Sequence, residues 1–116
     1  MSPLSTLLNG LAARPGVLGV LVLTDDGLSV AQAGDDPAAE ELAAIGSTVL
    51  LQLLQLGEST RQGALQLGVI EYEAGRVVIH PLREGAALLL LVRRDLNVGT
   101  LLFELAGEAD ALSALL

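Results

Sequence analysis

The chain has 116 residues, 52% of them hydrophobic, and a formal net charge of −8, which suits one domain with ample apolar material for a core. That acidity argues against a nucleic-acid partner, since the phosphate backbone calls for a concentrated basic face. Six arginines without a lysine exclude Schiff-base chemistry and the lysine of a phosphate-binding loop, and the lack of cysteine excludes disulfides, thiolate catalysis and thiolate metal sites.

Leucine fills 28 positions and the aromatics are Tyr72 and Phe103 alone, so the core is expected to be aliphatic. The first 14 residues carry no basic region ahead of their leucines, and apolar runs such as 86–92 fall far short of the roughly 20 residues that span a bilayer. A soluble, cytoplasmic, single-domain protein over residues 1–116, with no membrane insertion, is the expectation.

Ser2 and Pro3 form a cap and first-turn pair, after which Leu4, Leu7, Leu8 and Leu11 repeat at helical spacing until Pro15 and Gly16. Val17 to Thr24 is almost continuously apolar, Asp25-Asp26-Gly27 is a hairpin turn, and Leu28 to Ala33 alternates on the far side. Asp36 as cap and Pro37 in the first turn, with Glu40 and Glu41 near the positive end of the dipole, open a helix over Ala38 to Leu56. Three strands are predicted next, Leu65 to Glu73, Arg76 to His80 and Ala86 to Arg93, joined by short connections into an antiparallel meander. Asp95 or Asn97 caps a last helix whose stripe is Val98, Leu101, Leu102, Leu105, Ala109, Leu112 and Leu116. Val17 to Thr24 and Ala86 to Val92 are apolar on both alternating faces, which predicts central strands covered on both sides, with the other three strands towards the edges.

The middle helix is greasy over too wide an arc. At 100° per residue, Leu42, Ala43, Ile45, Gly46, Val49, Leu50, Leu53, Leu54 and Leu56 sweep about half the circumference, where roughly 100° seats a helix on one core. The excess predicts a second copy, approaching closely over the small Ala43 and Gly46 beside Leu50 and Leu54. An outer strand at Leu65 to Glu73, wetter than the others, offers an edge that can pair with its counterpart through Val69 and Glu71.

The element order α-β-β-α-β-β-β-α, with the strings Leu11-Ala12-Ala13-Arg14-Pro15-Gly16-Val17-Leu18-Gly19-Val20-Leu21-Val22, Asp25-Asp26-Gly27-Leu28 and Pro81-Leu82-Arg83-Glu84-Gly85-Ala86, resembles the roadblock family of dynein light chains and bacterial small-GTPase regulators. The resemblance covers nearly the whole chain. It implies an α/β/α sandwich (α+β class) with a five-stranded antiparallel sheet, the first and last helices on one face and the middle helix on the other. It also implies dimers joined through the middle helix and adjacent outer strand, and, in the bacterial branch, a small Ras-like GTPase as partner. A GTPase seated across a homodimer axis would meet Ser47, Thr48, Leu51, Gln52 and Gln55, the polar sector of the middle helix.

No catalytic residues, cofactor or metal are expected. His80 is the sole histidine and permits no serine-histidine-carboxylate or two-histidine metal spacing within one chain. Turn chemistry accounts for Asp25 and Asp26, a solvated edge accounts for Glu71 and Glu73, and surface solvation accounts for Arg61, Arg76, Arg83, Arg93 and Arg94, none of which is marked as an arginine finger. Phe103 lies off the last helix's stripe and faces either a partner or the first helix. The functional expectation is a non-enzymatic homodimeric regulator or scaffold of a Ras-like GTPase. A purely structural adaptor is its alternative, and a small-molecule sensor fits less well because the core has few polar anchors.

Overall fold

The computed structural model describes residues 2–34 and 38–116. The chain forms α1 (Pro3–Ala12), β1 (Val17–Leu23), β2 (Ser29–Gly34), α2 (Ala39–Ser59), β3 (Gly68–Glu71), β4 (Gly75–Pro81), a 3-10 turn (Arg83–Gly85), β5 (Ala87–Arg93) and α3 (Val98–Ala114), in the expected order.

Local chemistry sets the element ends. The Ser2 hydroxyl accepts the Ser5 N–H at 3.1 Å, and Pro3 occupies the first turn, where a missing N–H costs nothing. Asn97 caps α3 by accepting the Gly99 N–H at 3.1 Å, while Asp95 is held by Arg93 at 2.8 Å instead. The expected cap of α2, Asp36, and its first-turn Pro37 lie outside the described residues. In the β1–β2 hairpin, the Gly27 N–H donates to Thr24 O and the Thr24 N–H to Leu28 O, each at 3.0 Å. Gly27 takes φ +89°, the left-handed conformation that closes a three-residue loop.

The sheet runs β2-β1-β5-β4-β3, with every neighbouring pair antiparallel. β1 and β5 are central, as their two-sided apolarity requires. Val20, Val22, Leu88 and Leu90 meet Leu8 and Leu11 of α1 and Leu101, Leu105 and Leu112 of α3. On the opposite face, Leu21, Leu23, Ala87 and Leu89 meet Ala39, Ala43 and Leu50 of α2.

One expectation is corrected. β4 lies between β5 and the edge strand β3, and it contributes Val78 to the α1/α3 core and Val77 and Ile79 to the α2 side, whereas the bounds of β3 differ from those expected. β3 spans only Gly68–Glu71 instead of Leu65 to Glu73. Leu65 packs into the α2-side core, and the return from α2 is so close that a Cβ on Gly57 would lie 2.6 Å from the Gly63 carbonyl. At the other end, the Tyr72 N–H bonds Gly75 O at 2.8 Å, which closes the hairpin and ends the ladder.

Adjacent leucines on α2 report its orientation. Leu50 is 2% exposed and Leu51 50%, so Leu50→Ala is expected to cost about 2–5 kcal/mol and Leu51→Ala within about 0.5 kcal/mol of zero. Urea denaturation of the two variants checks this, and equal losses would contradict the helix orientation.

Candidate functional site

α2 crosses its face of the sheet and leaves a groove of about 160 Å³ along one flank. Leu42, Ile45 and Val49 form one wall, Ile70, Val77 and Leu91 lie beneath, and Tyr72 adds an aromatic ring. Ile45 is 54% exposed and Leu56, on the same side of the helix, is exposed too. The groove runs towards β3, an edge strand whose outer side has no neighbour in the sheet. An open apolar flank thus lies beside an open backbone edge.

The residues expected to form the helix seam have different fates. Ala43, Gly46 and Leu50 are buried against the chain's own sheet, and Gly46 also lines the groove beside Leu42, Ile45 and Val49. Gly46 is small for an internal reason, since a Cβ there would approach Leu23 Cδ2 to 2.7 Å. Leu54 is half-buried on the same core. The more open part of the wide arc is the flank of the exposed Ile45 and Leu56 with the half-buried Leu42, Val49 and Leu53, which also touch the core. The width of the arc is readable from residue spacing, but a helical wheel has no means of saying which part the sheet takes. Val69 and Glu71 do lie on the open edge strand and are exposed.

Of the polar sector, Thr48, Leu51, Gln52 and Gln55 are exposed. Ser47 is not: it is 6% exposed, its hydroxyl donates to Ala44 O at 2.9 Å, and its Oγ lies 3.4 Å from where a Gly27 Cβ would stand. It lies between α2 and the β1–β2 hairpin. Phe103 is 81% exposed, which leaves it facing outwards from α3 and not packed on α1.

The arginines are mostly engaged locally. Arg76 donates from Nε to Glu71 at 2.8 Å and from Nη1 to the carbonyls of Arg94 at 2.8 Å and Leu96 at 3.3 Å, tying the edge strand to the β5–α3 connection. Arg94 bonds Glu73 O at 2.8 Å. Arg14 pairs with Glu104 and, at 3.1 Å, with Glu108. It also lines a second concavity of about 340 Å³ with Pro15, Val17, Leu96 and Thr100. Because α3 carboxylates already hold the guanidinium, Arg14 is not a free cation for an anionic ligand in that larger cleft.

His80 Nδ1 lies 2.8 Å from Pro81 O at the end of β4. Among the described residues, no group of three or more His, Cys, Asp or Glu side chains is placed to hold a metal ion, and no helix is long and apolar enough to cross a membrane.

The hydrogen bond from Arg76, aided by its charge, holds the Glu71 carboxyl below its usual range. A lowered folded-state value means that the pair's stabilisation is present above the ordinary glutamate pKa of about 4.3 and is lost as pH falls through the lowered one. Arg76→Gln is expected to move the Glu71 titration up to the ordinary range, as followed by NMR of the side-chain carboxyl. An unmoved titration would contradict the contact.

A family model described as Roadblock/LC7 domain matches residues 4–92. The structure superposes on the Roadblock/LC7 domain from Streptomyces avermitilis with TM-score 0.88 at 25% identity, covering 96% of this chain and 95% of that one. Myxococcus xanthus MglB gives TM-score 0.91 at 11% identity over 99% of this chain and 95% of that one. A structure described as MglB with tetrameric arrangement gives 0.85 at 17% over 98% and 90%. At those two identities the likeness is one of fold. No curated protein sequence matches the chain.

Proposed function

Because the chain belongs to the Roadblock/LC7 domain family, we propose that it is a cytoplasmic homodimer that regulates or scaffolds a small Ras-like GTPase and has no catalytic centre of its own. The observation that carries the dimer is the open groove along α2 next to the unpaired edge of β3. A two-fold that joins β3 to its counterpart extends the sheet across both copies and brings the two Leu42/Ile45/Val49 flanks together over the exposed apolar floor. In that arrangement Thr48, Leu51, Gln52 and Gln55 face away from the sheets and form a paired outer surface for the GTPase. Likeness in fold to MglB, including a form with a tetrameric arrangement, supports a self-associating regulator. The absence of cysteine is compatible with a reducing compartment.

A structural adaptor is the second reading. Phe103 favours it, because so exposed an aromatic on α3 offers a contact surface on the layer opposite α2.

Ile45→Glu places a charge in the proposed seam at a position the isolated fold leaves half open, so the variant is expected to stay folded by circular dichroism and to show monomer mass by light scattering. A folded variant with dimer mass would place the interface elsewhere. For the partner, the protein is mixed with Ras-like GTPases from its own genome, loaded with GDP or a non-hydrolysable GTP analogue. Complex formation and a changed hydrolysis rate are expected, and no complex in either state removes the GTPase assignment.

A further inference from the structure

The open flank of α2 is laid out symmetrically about Val49. Leu42 and Leu56 stand equally far before and after it, as do Ile45 and Leu53, and all five fall within about 80° of one another at 100° per residue. A row that reads the same in both directions matches itself when a copy is turned end over end, which is what a two-fold contact requires. The edge strand is centred at the same place. Gly68, at the start of β3, would put a Cβ 3.6 Å from Leu53 Cδ1, whereas Ile70, and Tyr72 just past the other end, line the groove with Leu42, Ile45 and Val49. The middle of the strand therefore lies abreast of Val49.

A two-fold that continues the sheet through β3 and keeps both α2 helices on one side stands normal to the sheet. It reverses every direction within the sheet plane, so α2 and its counterpart run antiparallel. With Val49 at the axis, Leu42 meets Leu56 of the second copy and Ile45 meets its Leu53. The ends then bring opposite charges together. Glu41, in the first turn of α2, is exposed and lies about 40° round the helix from Ile45, whereas Glu40 lies about 140° from it and points away from the seam. Arg61, just past the far end, stands four residues beyond the level of Glu41 of the second copy, about 6 Å at 1.5 Å per residue. With helix axes about 8–10 Å apart, the two side chains can bridge that separation, and the two-fold repeats the pair at both ends.

The fold makes no use of the Arg61 charge and strains its backbone. The Arg61 N–H bonds Glu58 O at 3.0 Å and the Gln62 N–H bonds Gly57 O at 2.8 Å, a helix-closing arrangement whose left-handed position glycine occupies without strain. Here arginine holds it, at φ +59°. The guanidinium groups of Arg14, Arg76, Arg93 and Arg94 are held by carboxylates or carbonyls, while among the described residues those of Arg61 and Arg83 have no such partner. Arg83 sits against α3, its N–H bonded to Ser113 Oγ, on the layer away from the seam. That leaves Arg61 as the cation available at the end of the α2 seam.

We infer that Arg61 of each copy pairs with Glu41 of the other, clasping both ends of the seam and selecting a second copy of this chain over other apolar helices. The inference rests on the reading of the chain as a dimer through α2 and β3, and adds the register and the contact that enforces it.

The experiment measures dimer dissociation of the full-length protein by sedimentation at about 50 and 500 mM salt, for the wild type, Arg61→Glu, Glu41→Arg and an equimolar mixture of the two variants. Each variant alone opposes like charges at both ends, and is expected to dimerise about tenfold more weakly at low salt, with a smaller difference at high salt. A mixed dimer regains opposite charges at both ends. The mixture is therefore expected to dimerise within about threefold of the wild type, and native mass spectrometry is expected to show mixed dimers in excess over random exchange. Glu41 and Arg61 of one chain lie at opposite ends of a 21-residue helix, so this rescue can come only from contact between copies. Variants that dimerise as tightly as the wild type, or a mixture with no excess of mixed dimers, overturn the clasp and leave the dimer standing. A monomeric wild type overturns both.

Discussion

Five strands about 4.8 Å apart present a face close to 20 Å across, whereas an α-helix with its side chains is about 10–12 Å wide. On one side of this sheet two helices, α1 and α3, share that width, and the resulting core of Leu8, Leu11, Leu101, Leu105 and Leu112 is closed. On the other side α2 stands alone. However well it packs, a strip of the sheet must stay uncovered, and Ile70, Val77 and Leu91 occupy that strip with apolar side chains. The unequal layers are the constraint from which the open groove follows.

The same asymmetry orders the charges. Arg14 ties the α1–β1 connection to α3, and Arg76 and Arg94 tie the β3–β4 hairpin to the β5–α3 connection. Each of these contacts stabilises the fold locally by a modest amount, as exposed pairs do. Together they leave few cations for the α2 side, whose helix contains three glutamates and no basic residue. Compensated carboxylates hold the chain together, and uncompensated ones are left facing outwards.

Much of the fold was legible because alternation and helical spacing report burial directly. Val17 to Leu23 and Ala87 to Arg93 are apolar at every register position that matters, which forces them to the centre of a covered sheet. Asp25-Asp26-Gly27 and Ser2-Pro3 announce their turn and cap through backbone chemistry that needs no tertiary contact. β3 was less legible: its ends are set by the return of the chain under α2 and by the Tyr72–Gly75 hydrogen bond, and neither has a signature in Leu65 to Glu73. The candidate surface was half legible. The apolar arc of α2 is wider than one face of contact takes up, but Gly46 reads the same whether it admits Leu23 of its own sheet or a foreign helix. Ser47 likewise reads as surface until the hairpin tip is laid upon it.

β3 is only four residues long, and a short edge limits indiscriminate pairing with other exposed strands. A ladder of that length between two copies is too brief to hold a dimer by itself, just as an isolated two-stranded hairpin is marginal in water. In the proposed assembly the apolar flank of Leu42, Ile45 and Val49 must therefore supply most of the association energy, while the strand edge fixes register. Neither element alone selects the partner, because many proteins have greasy helices and many have free strand edges. In the proposed assembly a second copy would meet both at once, which is how two individually weak signals would become one specific contact.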